Sequence, residues 1–116
     1  MDADAGAQAL QRWQVEGATA DWQTVADAVR YTLRLLTAQA PGRSVEVRVP
    51  PYAAVQCVEG PRHTRGTPTN TVETDPQTWL RLATGRQSWG EAVVAGALRL
   101  SGERADLSAY LPLVGR

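Results

Sequence analysis

The side chains best suited to chemistry lie in one short segment, Gly-Pro-Arg-His-Thr-Arg-Gly at positions 60–66. The guanidinium groups of Arg62 and Arg65 and the imidazole of His63 could bind a carboxylate or phosphate, because an arginine fork donates two parallel hydrogen bonds to such an oxyanion. A solvated loop, with both arginines paired to nearby carboxylates, would contain the same residues. The sequence therefore leaves a headgroup site and a solvated loop open.

The types of residue in the chain give little support to a catalytic site or a metal site. As a general base, His63 would need a nucleophile or a second carboxylate held beside it, and the sequence alone identifies no such partner. Cys57 lies in an apolar segment with no adjacent cation, which predicts a small core residue rather than a reactive thiol. With one histidine and one cysteine in the chain, we predict no zinc site, no cofactor and no catalytic residue.

Composition restricts the partners and the location. The chain has 116 residues, enough for one domain, and its formal net charge is +0. No basic run could neutralise several phosphates, so we expect no nucleic-acid partner. The single cysteine cannot form an internal disulfide, and we find no leader and no transmembrane segment. These features predict a soluble bacterial cytoplasmic protein.

The amino-terminal half predicts two helices followed by two strands. Residues 1–20 form a tail and a short helix that ends near Gly17, and residues 21–116 form a single domain. Asp21 is the expected N-cap of a long helix with an apolar stripe. The stripe consists of Trp22, Val25, Val29, Leu33, Leu36 and Ala40. Alternating valines at 45–49 predict a half-buried strand, and residues 52–58 predict a second strand at the centre of the sheet.

The carboxy-terminal half contains the clearest helix signals. Residues 59–70 contain no apolar side chain and predict a surface loop, and the threonine-rich run after it predicts an edge strand. Asp75 followed by proline begins a helix that stops at Gly85. Ser88 and Glu91 have the spacing of a capping box, which begins another helix. We expect Gly96 to end that helix, a strand at 97–101, and a last helix from Leu107.

This order of elements describes an α+β domain, and several motifs resemble a known family. The runs Thr78–Arg86 and Ala92–Gly102, followed by Leu107 and Leu111, resemble the carboxy-terminal half of the sterol carrier protein 2 (SCP2) family. The stretch Arg43–Val114 is similar to small actinobacterial sterol carrier homologues, the bacterial SCP ortholog domain. The resemblance implies an SCP2-like fold, with a four- to five-stranded, mostly antiparallel sheet and helices packed mainly on one face.

The resemblance also implies a function, the binding of a fatty acyl chain or other lipid in an apolar cavity. Arg62, His63 and Arg65 would then contact the ligand's headgroup. An ordinary close-packed core would present the same apolar residues, so the pattern alone does not distinguish the two. The side chains expected to line the cavity are Val47, Val55, Trp79, Leu82, Trp89, Val93, Leu98, Leu107, Tyr110 and Leu111.

Two other kinds of function remain open at this stage. The fold is also used as an accessory domain in actinobacterial enzymes resembling the mycothiol-dependent maleylpyruvate isomerases, which implies a non-catalytic module that binds a protein partner or forms a homodimer. Alternatively, the chain is a small enzyme that uses His63 with Arg62 and Arg65 on an anionic substrate. A hydrophobic-ligand binding domain is the function that the sequence favours.

Overall fold

The structure, a computed structural model of the chain, describes residues 3–60 and 70–115. In these two segments, two helices precede three strands, and two further helices precede a last strand; a 3₁₀ turn at Gly17–Thr19 separates the first two helices. The elements are α1 (Ala3–Glu16), α2 (Trp22–Gln39), β1 (Val45–Val49), β2 (Ala53–Cys57), β3 (Asn70–Glu73), α3 (Pro76–Thr84), α4 (Trp89–Val94) and β4 (Arg99–Ser101).

The four strands form one sheet in the order β2-β1-β3-β4. β1 runs antiparallel to β2 and parallel to β3, and β3 runs antiparallel to β4. The valines of β1 point to the buried face, whereas Glu46 and Arg48 form an ion pair of 2.6 Å on the opposite face. The helices therefore cover one face, which confirms the predicted α+β, SCP2-like fold with its mostly antiparallel sheet.

The predicted positions of two strands were wrong. β2 lies at an edge of the sheet instead of its centre, and its alternation of half-buried and exposed residues reflects partial cover. β3 lies inside the sheet, although its threonines indicated an edge. Its first side chain, Asn70, donates to the Ser44 carbonyl oxygen at 2.8 Å and accepts from the Arg104 backbone N–H at 3.1 Å. These two hydrogen bonds satisfy the polar side chain of Asn70 although β3 lies inside the sheet.

The long helix α2 begins as the sequence predicts. The Asp21 carboxylate accepts a hydrogen bond from the Thr24 backbone N–H at 2.8 Å. Trp22 is an exception to the predicted apolar stripe, because it occupies the first helical position and is 68% exposed. Trp13 of α1 is instead buried at 1% exposure. Helix α1 packs on α2 and contributes to the core. The division of the chain into a tail with a short helix at residues 1–20 and a domain at residues 21–116 stays a prediction.

The carboxy-terminal helix expected from Leu107 is absent from the described segment 107–115, which forms turns. Pro112 has no backbone N–H to donate and its ring excludes a continuing helix. The backbone N–H groups of Leu113 and Val114 donate instead to the Ala83 carbonyl oxygen, at 2.9 and 3.2 Å. The apolar spacing of this segment thus reflects packing against α3 and not a helical period.

Candidate functional site

The first wall of the candidate site is the end of α3. Asp75 caps the start of this helix, where its carboxylate accepts from the Thr78 hydroxyl at 2.6 Å and the Thr78 N–H at 3.0 Å. Burial alone would raise the pKa of Asp75, but these hydrogen bonds outweigh it and lower the pKa. At the other end, Gly85 adopts a left-handed φ of 78° and turns the chain. Both predicted boundaries of α3 are confirmed.

The second wall is the start of α4, which the predicted capping box fixes. The Glu91 backbone N–H donates to the Ser88 hydroxyl oxygen at 3.1 Å, and the Ser88 N–H donates to the Glu91 carboxylate at 2.8 Å. The hydrogen bond from the Ser88 N–H, followed by that of its hydroxyl, lowers the pKa of Glu91. Arg81 of α3 donates to the side-chain oxygen of Gln87 at 3.0 Å and so holds the connection between the helices.

The third wall is the turn segment 108–115, which is attached to the rest of the protein by its backbone. Besides the two hydrogen bonds to Ala83, the Leu113 carbonyl oxygen accepts from the side-chain amide of Gln39 at 3.4 Å. Pro112 comes so close to Gly85 that a Cβ on this glycine would lie 3.4 Å from the proline ring. Helices α2 and α3 therefore both contribute to the position of this segment.

These three walls enclose a cleft of about 480 Å³ that is partly open to solvent. Its volume falls within the range of about 300–1,000 Å³ that is usual for small-molecule sites. Every side chain in its described lining is uncharged, and apolar surface exceeds polar surface. The lining consists of Leu82, Thr84, Gly85, Gln87, Ser88, Trp89, Gly90, Ser108, Leu111, Pro112 and Gly115.

The structure separates the ten side chains expected to line a cavity. Three of them, Leu82, Trp89 and Leu111, lie on this cleft. Those inside the close-packed core with no exposed surface are Val47, Trp79 and Leu107. Those half-buried and away from the cleft's lining are Val55, Leu98 and Tyr110. Val93 is 46% exposed on α4. Ligand contact by each of the ten stays a prediction.

The expected headgroup residues Arg62, His63 and Arg65 lie outside the described residues, so their contribution also stays a prediction. Cys57 is described, and its side chain is fully buried in the core. Burial raises the pKa of this thiol from 9.0 to about 11, which leaves little thiolate at neutral pH. Its interpretation as a core residue and not a reactive thiol agrees with this placement.

Several residues that line the cleft were not predicted from the sequence. Gly90 carried a usable signal, because a glycine directly inside a predicted helix weakens that helix without making a turn. Ser108 and Pro112 carried no such signal. They reach the cleft through the backbone hydrogen bonds of the turn segment, which join residues distant in sequence.

The family of the chain follows from a comparison with known proteins. Residues 21–113 match the family model described as bacterial SCP ortholog. The chain belongs to this bacterial family of sterol carrier protein-like domains, as its motifs predicted. No curated protein matches the chain significantly.

Two further properties concern the described part of the chain. None of its helices combines the length and the apolar character that are required to cross a membrane. Among residues 3–60 and 70–115, histidine, cysteine and carboxylate side chains do not gather in threes around a point that could hold a metal ion.

The buried thiol predicts a pH dependence of stability. The unfolded thiol ionises near its ordinary pKa, whereas the folded thiol of Cys57 keeps its proton until about pH 11. Since the folded state binds more protons between these values, its stability falls as the pH rises. We expect urea unfolding between about pH 8 and pH 10.5 to show a steeper loss of stability in the wild type than in Cys57→Ala. Parallel curves would contradict a protonated, buried thiol.

Proposed function

We propose that the chain is a non-catalytic binding domain that takes a fatty acyl chain or other hydrophobic ligand into the cleft between α3, α4 and residues 108–115. The observation that carries this proposal is the uncharged, partly apolar lining of the cleft in a protein of the sterol carrier type. Burial of apolar ligand surface against Trp89, Leu82 and Leu111 would provide the driving force. We further propose that the protein acts in the cytoplasm.

The exposure of the lining residues supports the cleft as the ligand site, and not the close-packed core beside the sheet. Trp79 and Leu107 expose no surface, so a ligand between them would have to displace close-packed side chains. Around Trp89, by contrast, the protein leaves space that is open to solvent. A ligand can reach this space without separating the helices from the sheet.

A charge placed in the cleft should weaken binding. Ser108 is exposed and lines the cleft, so Ser108→Glu adds a carboxylate there with little effect on the core. A hydrophobic ligand would partly desolvate that carboxylate, and we expect an affinity for the neutral dye Nile red that is at least about tenfold weaker. The measurement is a fluorescence titration of the wild type and the variant.

The adjacent substitution Ala109→Glu is the matched control, because Ala109 is exposed in the same turn but does not line the cleft. We expect this control to bind Nile red as the wild type does. Absence of wild-type binding at micromolar concentration would exclude the proposed function. Equal affinities of the wild type and Ser108→Glu would exclude the cleft as the site.

The headgroup hypothesis concerns Arg62, His63 and Arg65. The described lining of the cleft carries no charge, so we propose that these loop residues supply any preference for an anionic ligand. The wild type should then bind a fatty acid about tenfold more tightly than the fatty alcohol of equal length, as charge-assisted hydrogen bonds imply. Arg62→Gln combined with Arg65→Gln should remove the preference, and His63→Ala should reduce it. Equal affinities of the wild type for acid and alcohol would contradict the hypothesis.

A second candidate function is an interaction module without a ligand, and exposed apolar side chains favour it. Val93, Val94 and Leu100 lie close together in sequence on α4 and β4, with exposed fractions of 46%, 90% and 41%. Exposed apolar side chains mark protein interfaces where they form a contiguous patch. A homodimer is the simplest form of such an interface.

Light scattering tests this second function. If the apolar side chains of α4 join two copies, the wild type should dimerise at about 100 µM, and Val94→Glu should remain monomeric because it places a charge in the interface. Arg30→Glu, an exposed charge change on α2, is the control and should dimerise like the wild type. A monomeric wild type at this concentration would contradict the homodimer.

A further inference from the structure

Gly90 is the second residue of α4, and the helix gains nothing from having a glycine there. Gly85 and Gly96 have positive φ angles of 78° and 71°, which favour glycine at both turns. Gly90 instead has an ordinary helical conformation, in which alanine would be the better helix former. Neither the turn chemistry nor the helix explains this glycine.

Packing within the protein does not explain it either. In the described part of the chain, a Cβ on Gly90 would have no heavy atom within 4 Å apart from its chain neighbours and the nearby backbone of its own helix. Gly85, in the same cleft, would already bring a Cβ to 3.4 Å from Pro112. Gly90 is exposed and is one of the residues that line the cleft, and the space that its Cβ would occupy is open.

The surroundings of this space determine what can enter it. Trp89 provides an aromatic wall, and the side chains lining the cleft are uncharged. Arg81 donates to the side-chain oxygen of Gln87 in the lining, and Arg86 donates to the Gln14 carbonyl oxygen at 2.7 Å, but neither arginine belongs to the described lining itself. A charged group would have no counter-charge among the described lining residues. The space therefore suits an uncharged, apolar part of a ligand.

We propose that Gly90 is a specificity-determining position, at which the missing side chain lets an uncharged apolar part of the ligand lie against the backbone of α4. This inference rests on the proposed function, because it assigns the ligand to the same cleft. It adds that a larger residue at position 90 weakens ligand binding, although alanine there makes the helix more stable. If Gly90 served only the fold, its replacement would not weaken ligand binding while raising the melting temperature.

Titration with Nile red and thermal unfolding test the inference on the full chain. Gly90→Ala should raise the melting temperature by about 2 to 4 °C, because alanine is the better helix former, and should weaken binding at least about threefold. Gly90→Leu should weaken it at least about tenfold, since its side chain fills the open space. Ala95→Leu adds similar bulk at an exposed position after α4, outside the cleft, and should bind like the wild type.

The outcomes distinguish this inference from the proposed function. If the wild type binds Nile red and both Gly90 variants bind equally well, the role of Gly90 is excluded while the cleft function stands. A melting temperature lowered by Gly90→Ala would also overturn the inference, because the glycine would then serve the fold. If the wild type fails to bind, both proposals fail. Gly90→Ala keeps the test decisive should Gly90→Leu not fold.

Discussion

The buried contact between α2 and α3 is the constraint on which the rest of the structure depends. Trp79 has no exposed surface, and its indole N–H donates to the Thr32 hydroxyl at 2.8 Å inside the core. The Thr32 hydroxyl in turn donates to the Ala28 carbonyl oxygen at 2.8 Å within its own helix. A large ring is thus buried without an unsatisfied donor. This contact fixes α3 against α2, and the end of α3 then forms one wall of the cleft.

Function is proposed at the margin of the core because the interior beside Trp79 is filled. The SCP2 resemblance implied an apolar cavity, yet Val47 and Leu107, two of the side chains expected to line it, also lack exposed surface. Open space begins where α3 gives way to α4 and the chain turns at Gly85. Because residues 108–115 are bound to α3 through two backbone hydrogen bonds to Ala83, the third wall of the cleft can hold its place without being a helix.

Local chemistry made the helices predictable from sequence. Asp21, Asp75 and Ser88 each accept a hydrogen bond from a nearby backbone N–H, and such caps depend only on residues three positions apart. Strand order was less predictable, since the position of Asn70 between two strands depends on Ser44 and Arg104, which are distant in sequence. The cleft was only partly predictable. Trp89 and Leu111 were recognised as apolar, but nothing local indicated that residues 108–115 would fold back onto α3.

The four tryptophans of the chain can report where a hydrophobic ligand binds. Each indole N–H gives one signal in a ¹H–¹⁵N spectrum, assignable with single Trp→Phe variants, and a nitroxide-labelled stearic acid broadens signals near its label. We expect the strongest broadening for Trp89, which lines the cleft, and little for Trp13, which lies on α1 under Arg86. If the Trp79 signal broadened while the Trp89 signal did not, or if no indole signal broadened, binding of the ligand in the cleft would be excluded.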